Sequence, residues 1–372
     1  MRDSIIPESF SPESSVVVLP FGETTGTPPP GREAECAPHA TVPLAYALTA
    51  RFEEEDNDVL FETPAPSARA REIGLIGNRL YWLFDDDRGN SGIATGLVSQ
   101  PGSASVLVPA TQTILQFDVG RYVVYTTSPP APSPPAAALM VIRETEAPRQ
   151  LISLNCLGVA SAESRVYCRW QPAGWTTTLL YSWDVNAAAP SSGLRNEYEL
   201  PIGGVIAVTA SPAALYSVSD TGALGTASIL RASLPGTGGF PQAPMIVASN
   251  QSRPRGLAIG RSFVSWVDHP EGRSIVRSTL ANAASGARVF ELVSDGAHLS
   301  APDTDDQTLW ASLRTGAGPG PAFSVVRVDA LPSGQGHSVY RNGRVGVGGL
   351  VAGATHVYWT QSDGRVYRAR KR

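Results

Sequence analysis

The chain has 372 residues, of which 36 are glycine, 31 are proline and only 17% are charged. The hydrophobic fraction of 42% excludes a globally disordered protein, and the formal net charge of −4 argues against a protein that coats nucleic acid. No apolar run reaches the length of about 18 residues that a membrane-spanning helix needs. The first ten residues, MRDSIIPESF, lack the apolar segment of a secretory leader. The protein is therefore cytoplasmic, or it is exported and its leader is missing from the sequence.

Residues 1–55 have the composition of an extended arm or linker. Ser11–Pro43 is rich in Pro, Gly, Ser and Thr, and it includes the run PPPG at Pro28–Gly31. Segments of this composition stay extended and build no hydrophobic core. An acidic run follows at Glu53–Asp56. We expect the folded domain to comprise residues 56–372.

A repeating unit fills that domain. Each unit has an apolar run, a turn, a short run with an aromatic pair, a polar turn and a further short run, as in GGLVAGATHVYWTQSDGRVYRA. Aligning the units on the aliphatic residue before the aromatic pair gives seven anchors, 43 to 49 residues apart: Leu80, Val123, Val166, Leu215, Val264, Leu309 and Val357. Side chains two positions apart on a strand share a face. The anchor and the large residue two positions later therefore mark a face that packs against a neighbouring unit.

Four short strands in a unit of roughly 40–50 residues are typical of a β-propeller. Helical periodicity is absent from the sequence. The last unit ends after its third strand, and DVLFE (Asp58–Glu62) precedes the first unit. We predict an all-β, seven-bladed β-propeller in which this N-terminal strand completes the last blade and protects its edge. Six or eight blades are the alternatives.

The units resemble the YWTD-type and NHL-like propeller repeats, in particular divergent bacterial ones. The resemblance rests on Val357–Thr360 (VYWT) and on Pro254–Ile259 (PRGLAI), which precedes an anchor strand. It extends over essentially the whole repeat region. It implies a propeller architecture, with ligand or protein binding at one face of the ring as the common use.

The three cysteines bear on the compartment. Cys156 and Cys168 flank a turn centred near Ala162, and residues equidistant from a hairpin turn lie opposite each other. This placement predicts a disulfide, and with it an extracellular, periplasmic or other cell-envelope location. Three cysteines leave Cys36 unpaired, which weakens the case for an oxidising compartment. The alternative is that Cys156 and Cys168 are reduced, buried cysteines that pack as small hydrophobic side chains.

An acidic loop follows the second strand of the first unit. Oxygens of Asp85, Asp87 and Asn90 could bind a hard cation such as Ca²⁺, although the loop lacks the EF-hand pattern. A hydrated turn with local side-chain hydrogen bonds is the favoured interpretation. No histidine lies at metal-ligand spacing with another histidine or cysteine, so we expect no bound metal and no cofactor.

Candidate binding residues fall in loops that a propeller would present on one face. Trp170 and Trp175 bracket the sequence QPAG between the second and third strands of the third unit. Exposed aromatic residues with arginines are enriched at protein interfaces and can stack on sugars. The proposed partner site consists of these residues: Trp170, Trp175, Arg88, Arg253, Arg255 and His269.

No motif of a catalytic nucleophile or of a metalloprotease occurs. The sequence therefore favours a non-enzymatic binding protein that recognises a protein or glycan partner and no nucleic acid. One alternative is a lyase or hydrolase acting on a polysaccharide or peptide in the central funnel, through Asp268, His269, His298 and Arg255. Another is a structural subunit whose N-terminal arm wraps a neighbour.

Overall fold

The structure is a computed structural model, and it describes residues 58–371 apart from these positions: 66, 129–136, 188–193, 202–205, 211–212, 221–226, 234–243, 253, 261–262, 269–273, 281–287, 295–307, 316–321, 330–336 and 343–345. The predicted arm, residues 1–55, lies outside the described residues, as does Cys36. The division of the chain at residue 56 thus stays a prediction.

The described part of the chain is built of strands and turns, with no helix in it. Twenty-six strands are numbered here in chain order: β1 (Asp58–Glu62), β2 (Arg69–Ile76), β3 (Arg79–Asp85), β4 (Ser91–Leu97), β5 (Ala104–Val119), β6 (Val123–Ser128), β7 (Ala138–Ile142), β8 (Arg149–Ser153), β9 (Gly158–Ala162), β10 (Arg165–Trp170), β11 (Thr177–Asp184), β12 (Leu194–Pro201), β13 (Ile206–Ala210), β14 (Ala213–Asp220), β15 (Ala227–Ser233), β16 (Met245–Gln251), β17 (Arg255–Ile259), β18 (Phe263–Asp268), β19 (Ser274–Leu280), β20 (Arg288–Ser294), β21 (Thr308–Thr315), β22 (Ala322–Asp329), β23 (His337–Asn342), β24 (Val347–Ala352), β25 (His356–Gln361) and β26 (Arg365–Arg370).

The strands form antiparallel sheets that follow the repeat. Four sheets have four strands each, in the orders β1-β26-β25-β24, β12-β11-β10-β9, β13-β14-β15-β16 and β17-β18-β19-β20. A seven-stranded sheet, β2 through β8, holds two units that share the 16-residue strand β5. The sheet β21-β22-β23 has three strands, and the residues before β21, 295–307, are not described. The predicted all-β class is confirmed.

The seven anchor positions lie where the sheets are most deeply buried. None of these side chains retains exposed surface: Leu80, Val123, Val166, Leu215, Val264, Leu309 and Val357. The residue after each anchor is buried as well, on the opposite face of its strand. Tyr81 lies in one cluster with Val123 of the next unit, and Tyr167 lies in one with Leu215. Each second strand is therefore packed between two neighbouring sheets, which explains the constant Val or Leu.

The first strands of successive units lie side by side. β2 contacts β5, β5 contacts β9, β9 contacts β13, and β13 contacts β17. β24, the first strand of the last unit, contacts β2, and it also contacts β21, the second strand of the sixth unit. Glycines allow this close approach: a Cβ on Gly349 of β24 would lie 2.6 Å from the carbonyl oxygen of Arg71 on β2. These first strands, called inner strands below, therefore follow one another from β24 through β2, β5, β9 and β13 to β17.

The N-terminal strand pairs with the C-terminal one. β1 is hydrogen-bonded to β26 in antiparallel register, with Asp58 opposite Arg368 and Glu62 opposite Arg365. This is the pairing that the sequence predicts for DVLFE. Much of the fifth and sixth units lies outside the described residues. The number of blades and the closing of the ring therefore stay predictions.

Candidate functional site

The loop between β10 and β11 presents an exposed indole on a fixed backbone. Trp170 ends β10 and is half-buried against Tyr181, with 6.1 Å between the ring centroids. Trp175 is 50% exposed. The Trp175 N–H donates to the carbonyl of Pro172 at 3.1 Å, and the Gln171 side-chain amide donates to the carbonyl of Trp175 at 2.8 Å. These two bonds hold the backbone of Trp175 through the peptide groups on either side of its Cα.

A disulfide joins Cys156 to Cys168, two residues before the end of β10, as the sequence predicts. The two Cα atoms are 5.4 Å apart. Both cysteines are buried in the hydrophobic cluster between the second and third units. The register differs from the expected one. Cys168 lies opposite Val159, and the hairpin turn lies beyond Ala162 rather than on it. Cys156 precedes β9 and reaches Cys168 from outside the ladder.

Arg169 anchors the same strand from the other face. Its side chain is fully buried, with Nε donating to the Thr178 hydroxyl at 2.8 Å and Nη1 to the carbonyl of Val218, in the next sheet, at 2.6 Å. Burial lowers the pKa of Arg169 to about 10, so the guanidinium stays charged at neutral pH. The disulfide and this arginine fix the end of β10 from two sides, which makes the loop a rigid support for Trp175.

The acidic loop after β3 is organised around local hydrogen bonds. Asp85 Oδ2 lies 2.9 Å from Arg71 Nε, and Asp85 Oδ1 accepts from the Ser91 hydroxyl at 2.8 Å. Asp86 accepts from the backbone N–H of Asn90 at 2.7 Å and from its side-chain amide at 3.1 Å. Among the residues that the structure describes, no group of three carboxylate, histidine or cysteine side chains could hold a metal ion. The loop is therefore a turn held by hydrogen bonds among its own residues.

The predicted partner residues are only partly placed. Arg88 is exposed in the β3–β4 loop of the first unit, whereas Trp170 and Trp175 belong to the third unit. Arg255 begins β17, opposite Val267, and its side chain is not described. The structure describes neither Arg253 nor His269. The loops of Arg88 and the tryptophans join second to third strands, so each lies at the same end of its sheet.

The residues of the enzymatic alternative are described even less fully. Asp268 ends β18 and is buried. His269 and His298 lie outside the described residues, as does the side chain of Arg255. Their convergence in a central funnel therefore stays a prediction.

A pair of carboxyl groups on neighbouring inner strands was not predicted. Glu72 lies on β2 and Asp118 on β5. Asp118 Oδ2 accepts a hydrogen bond of 3.0 Å from the backbone N–H of Ser161 on β9. Burial raises the pKa of Asp118 to about 7. The hydrogen bond from Ser161 lowers the pKa and so opposes this rise, whereas the negative charge of Glu72 raises it further. Nothing in the sequence distinguishes these two carboxyl groups from other polar residues on strands.

Glu72 has a raised pKa of its own. Its side chain is reached by solvent, but the surrounding strands remove part of its hydration, and this desolvation is the main cause of the raised pKa. The positive charge of Arg71 opposes the rise, and the negative charge of Asp85 adds to it. The two inner carboxyls thus favour the protonated form more than exposed carboxyls do.

No protein-family model matches the sequence, and no curated protein matches it. Solved structures do resemble it. For prolyl oligopeptidase B from Galerina marginata the TM-score is 0.54 at 13% identity, with 84% of this chain and 48% of that chain covered. For a puromycin hydrolase the TM-score is 0.56 at 9% identity, with 79% of this chain and 50% of that chain covered. For an uncharacterized protein of Listeria monocytogenes EGD-e the TM-score is 0.52 at 9% identity, with 83% of this chain and 94% of that chain covered.

The chain spans about half the length of the oligopeptidase and of the hydrolase that it resembles. In the part of the chain that is described, no helix is both long and apolar enough to span a bilayer. Identities this low carry the fold and no activity. The sheet order and these likenesses together give the chain a β-propeller-like fold.

Proposed function

We propose that this protein is a non-enzymatic binding module that holds a protein or glycan partner through the loops joining second and third strands. The observation that supports the proposal is the half-exposed Trp175 on the fixed β10–β11 loop. Tryptophan is the residue type most enriched at binding hot spots, and its flat ring also stacks on sugars. A side chain carried on a backbone that is fixed before binding loses less conformational entropy on association than one carried on a mobile loop.

The remaining members of the proposed site are assigned supporting roles. Trp170 packs on Tyr181 and fixes the base of the loop, so we assign it a positioning role. Arg88, Arg253, Arg255 and His269 are proposed to line the same face and to contact polar groups of the partner. The buried disulfide favours an extracellular or cell-envelope location. Membership of the YWTD or NHL-like repeat proteins stays a prediction.

A titration with two variants tests the proposal. The protein is titrated with a panel of oligosaccharides and with candidate partner proteins, and the dissociation constant is measured for each ligand that binds. Trp175→Ala is expected to weaken binding at least tenfold, which corresponds to about 1.4 kcal/mol, because it removes the anchor and leaves the fold intact. Ile246→Ala is the matched control, since Ile246 is also 50% exposed but lies on β16.

Two outcomes separate the possibilities. Loss of binding in Trp175→Ala with full binding in Ile246→Ala supports the site. Equal affinity of Trp175→Ala and the native protein for every ligand would remove the β10–β11 loop from the binding surface. Retention of sugar binding by Trp175→Phe identifies ring stacking as the interaction, because phenylalanine keeps the flat ring and loses the indole N–H.

A further inference from the structure

Asp118 lies between two close-packed boundaries of the inner strands. On one side, a Cβ on Gly74 of β2 would lie 2.1 Å from Cβ of Val119. On the other side, a Cβ on Gly120 would lie 2.3 Å from the carbonyl oxygen of Ser161 on β9. The two residues that follow Asp118, Val119 at the end of β5 and Gly120 in the turn after it, are thus each in tight contact with an adjoining strand. A change in the charge of Asp118 therefore occurs next to both of these contacts.

The hydroxyl of Ser161 ties the β5–β6 turn to β9. It donates to the carbonyl of Tyr122 at 3.1 Å and accepts from the Tyr122 N–H at 3.2 Å. The Ser161 backbone N–H donates to Asp118 Oδ2 at 3.0 Å. An ionised carboxylate is a stronger hydrogen-bond acceptor than a neutral carboxyl. The contact with β9 therefore becomes stronger when Asp118 loses its proton.

The boundary with β2 responds in the opposite sense. The charge of Glu72 on β2 raises the pKa of Asp118. Arg71 and Asp85 act in turn on Glu72, and Ser161 of β9 faces Asp118 with neutral groups only. Two carboxylates on neighbouring strands repel each other when both are ionised. Loss of the proton therefore weakens the contact between β2 and β5.

We propose that Asp118 is a proton-dependent switch between the two boundaries, in which its neutral form holds β5 against β2 and its ionised form holds β5 against β9. The switch links the first three units of the propeller-like fold to the pH of the surroundings. It operates independently of the proposed partner site, since it uses none of the same residues.

The sign of the pH dependence follows from proton linkage. Burial raises the pKa of Asp118 from its ordinary value of 3.8 to about 7. Between these two values the folded protein holds a proton that the unfolded chain has released. A rising pH therefore favours unfolding across this window, by up to about tenfold in the equilibrium constant per pH unit. Below pH 3.8 the contribution of Asp118 is fully present, and above pH 7 it is lost.

The test uses urea unfolding at pH 5 and pH 8 together with hydrogen exchange of the β2 amides at both values. Asp118→Asn imitates the protonated carboxyl and keeps an oxygen that can accept from Ser161. We expect the urea midpoint of Asp118→Asn to exceed that of the native protein by more at pH 8 than at pH 5, and the β2 amides of the variant to exchange more slowly at pH 8. Glu72→Gln removes the repelling charge and is expected to change the midpoint in the same direction. Asp87→Asn is the control, because Asp87 is exposed in the acidic loop.

Comparing variants at one pH removes the intrinsic pH dependence of exchange and of the other carboxyl groups. The proposal is overturned if Asp118→Asn follows the native midpoint at both pH values, or if Asp87→Asn moves as far as Asp118→Asn. It is also overturned if the midpoints shift as expected but the β2 amides exchange equally fast in all proteins, since the boundary would then not respond. A selectively labelled aspartate carboxyl resonance, absent in Asp118→Asn and titrating in the native protein near pH 4, would be a third contradiction.

Discussion

Replacing Phe61 with alanine is expected to lower the free energy of unfolding by about 3–5 kcal/mol, the usual cost of deleting a buried aromatic ring. Phe61 is fully buried although it lies on β1, the strand that joins the N-terminal end to β26. Its ring stacks on Trp82 of the first unit at 5.5 Å between centroids. A Cβ on Gly96 would lie 2.6 Å from that ring. Phe61 thus fills the space between the last sheet and the first.

Val59 provides the matched control for this prediction. It lies on the same strand but is 43% exposed, so Val59→Ala is expected to change stability by no more than about 0.5 kcal/mol. Urea unfolding followed by circular dichroism measures both variants. Equal stability of the two variants would mean that β1 does not hold the first and last sheets together.

Ion pairs contribute less to the same junction. Arg368 lies 3.1 Å from Asp58, and Arg365 lies 3.3 Å from Glu62. All four side chains retain solvent access, and exposed pairs of this kind typically contribute about 0–1 kcal/mol each. Burial of the Phe61 ring therefore dominates the stability of this junction, and raising the salt concentration is expected to change stability only slightly.

The sequence contains enough to predict the sheets, because the packing of each second strand dictates its residue types. A strand with a sheet on either side tolerates only apolar or small side chains at its centre, so Val166 and Leu215 recur with the period of the unit. The aromatic positions beside them fill the space between sheets, as Trp82 and Trp359 do. The apolar positions of the repeat are therefore the buried positions of the second strands.

The local register could not be predicted in the same way. The Cys156–Cys168 pairing was inferred from a turn near Ala162, but the turn includes Glu163, whose φ is +50°. A non-glycine residue in the left-handed region is uncommon, and no residue type in this stretch predicts it. The disulfide was predicted correctly because Cys156 reaches Cys168 from outside the ladder, and not because the two residues are equidistant from the turn.

The inner carboxyls illustrate a second limit. Glu72 and Asp118 are 46 positions apart, and each looks like an ordinary polar residue on a strand. Their interaction depends on how closely two inner strands approach, and this distance is set by the contact of Gly74 with Val119. Period and composition predict that strands are neighbours. They do not predict which polar side chains then share a boundary.

Removing the disulfide is the second change with a large expected effect. The double variant Cys156→Ala/Cys168→Ala is expected to lose about 2–5 kcal/mol of stability, as small cross-linked loops usually do. Part of the loss comes from the freedom that the unfolded chain regains between two residues 12 positions apart. The rest comes from the buried cluster that both sulfur atoms share with Trp183 and Val166. Urea unfolding under non-reducing conditions measures it.

The same variant separates stability from binding. The disulfide fixes the end of β10, two residues before Trp170, so its loss is expected to loosen the β10–β11 loop and weaken partner binding even where the protein remains folded. Cys36→Ala is the control, because it removes a thiol and leaves the Cys156–Cys168 pair intact. Binding by the double variant at native affinity, measured well below its unfolding midpoint, would show that the loop keeps its shape without the cross-link. Arg169, with its bonds to Thr178 and Val218, would then be the group that positions Trp175.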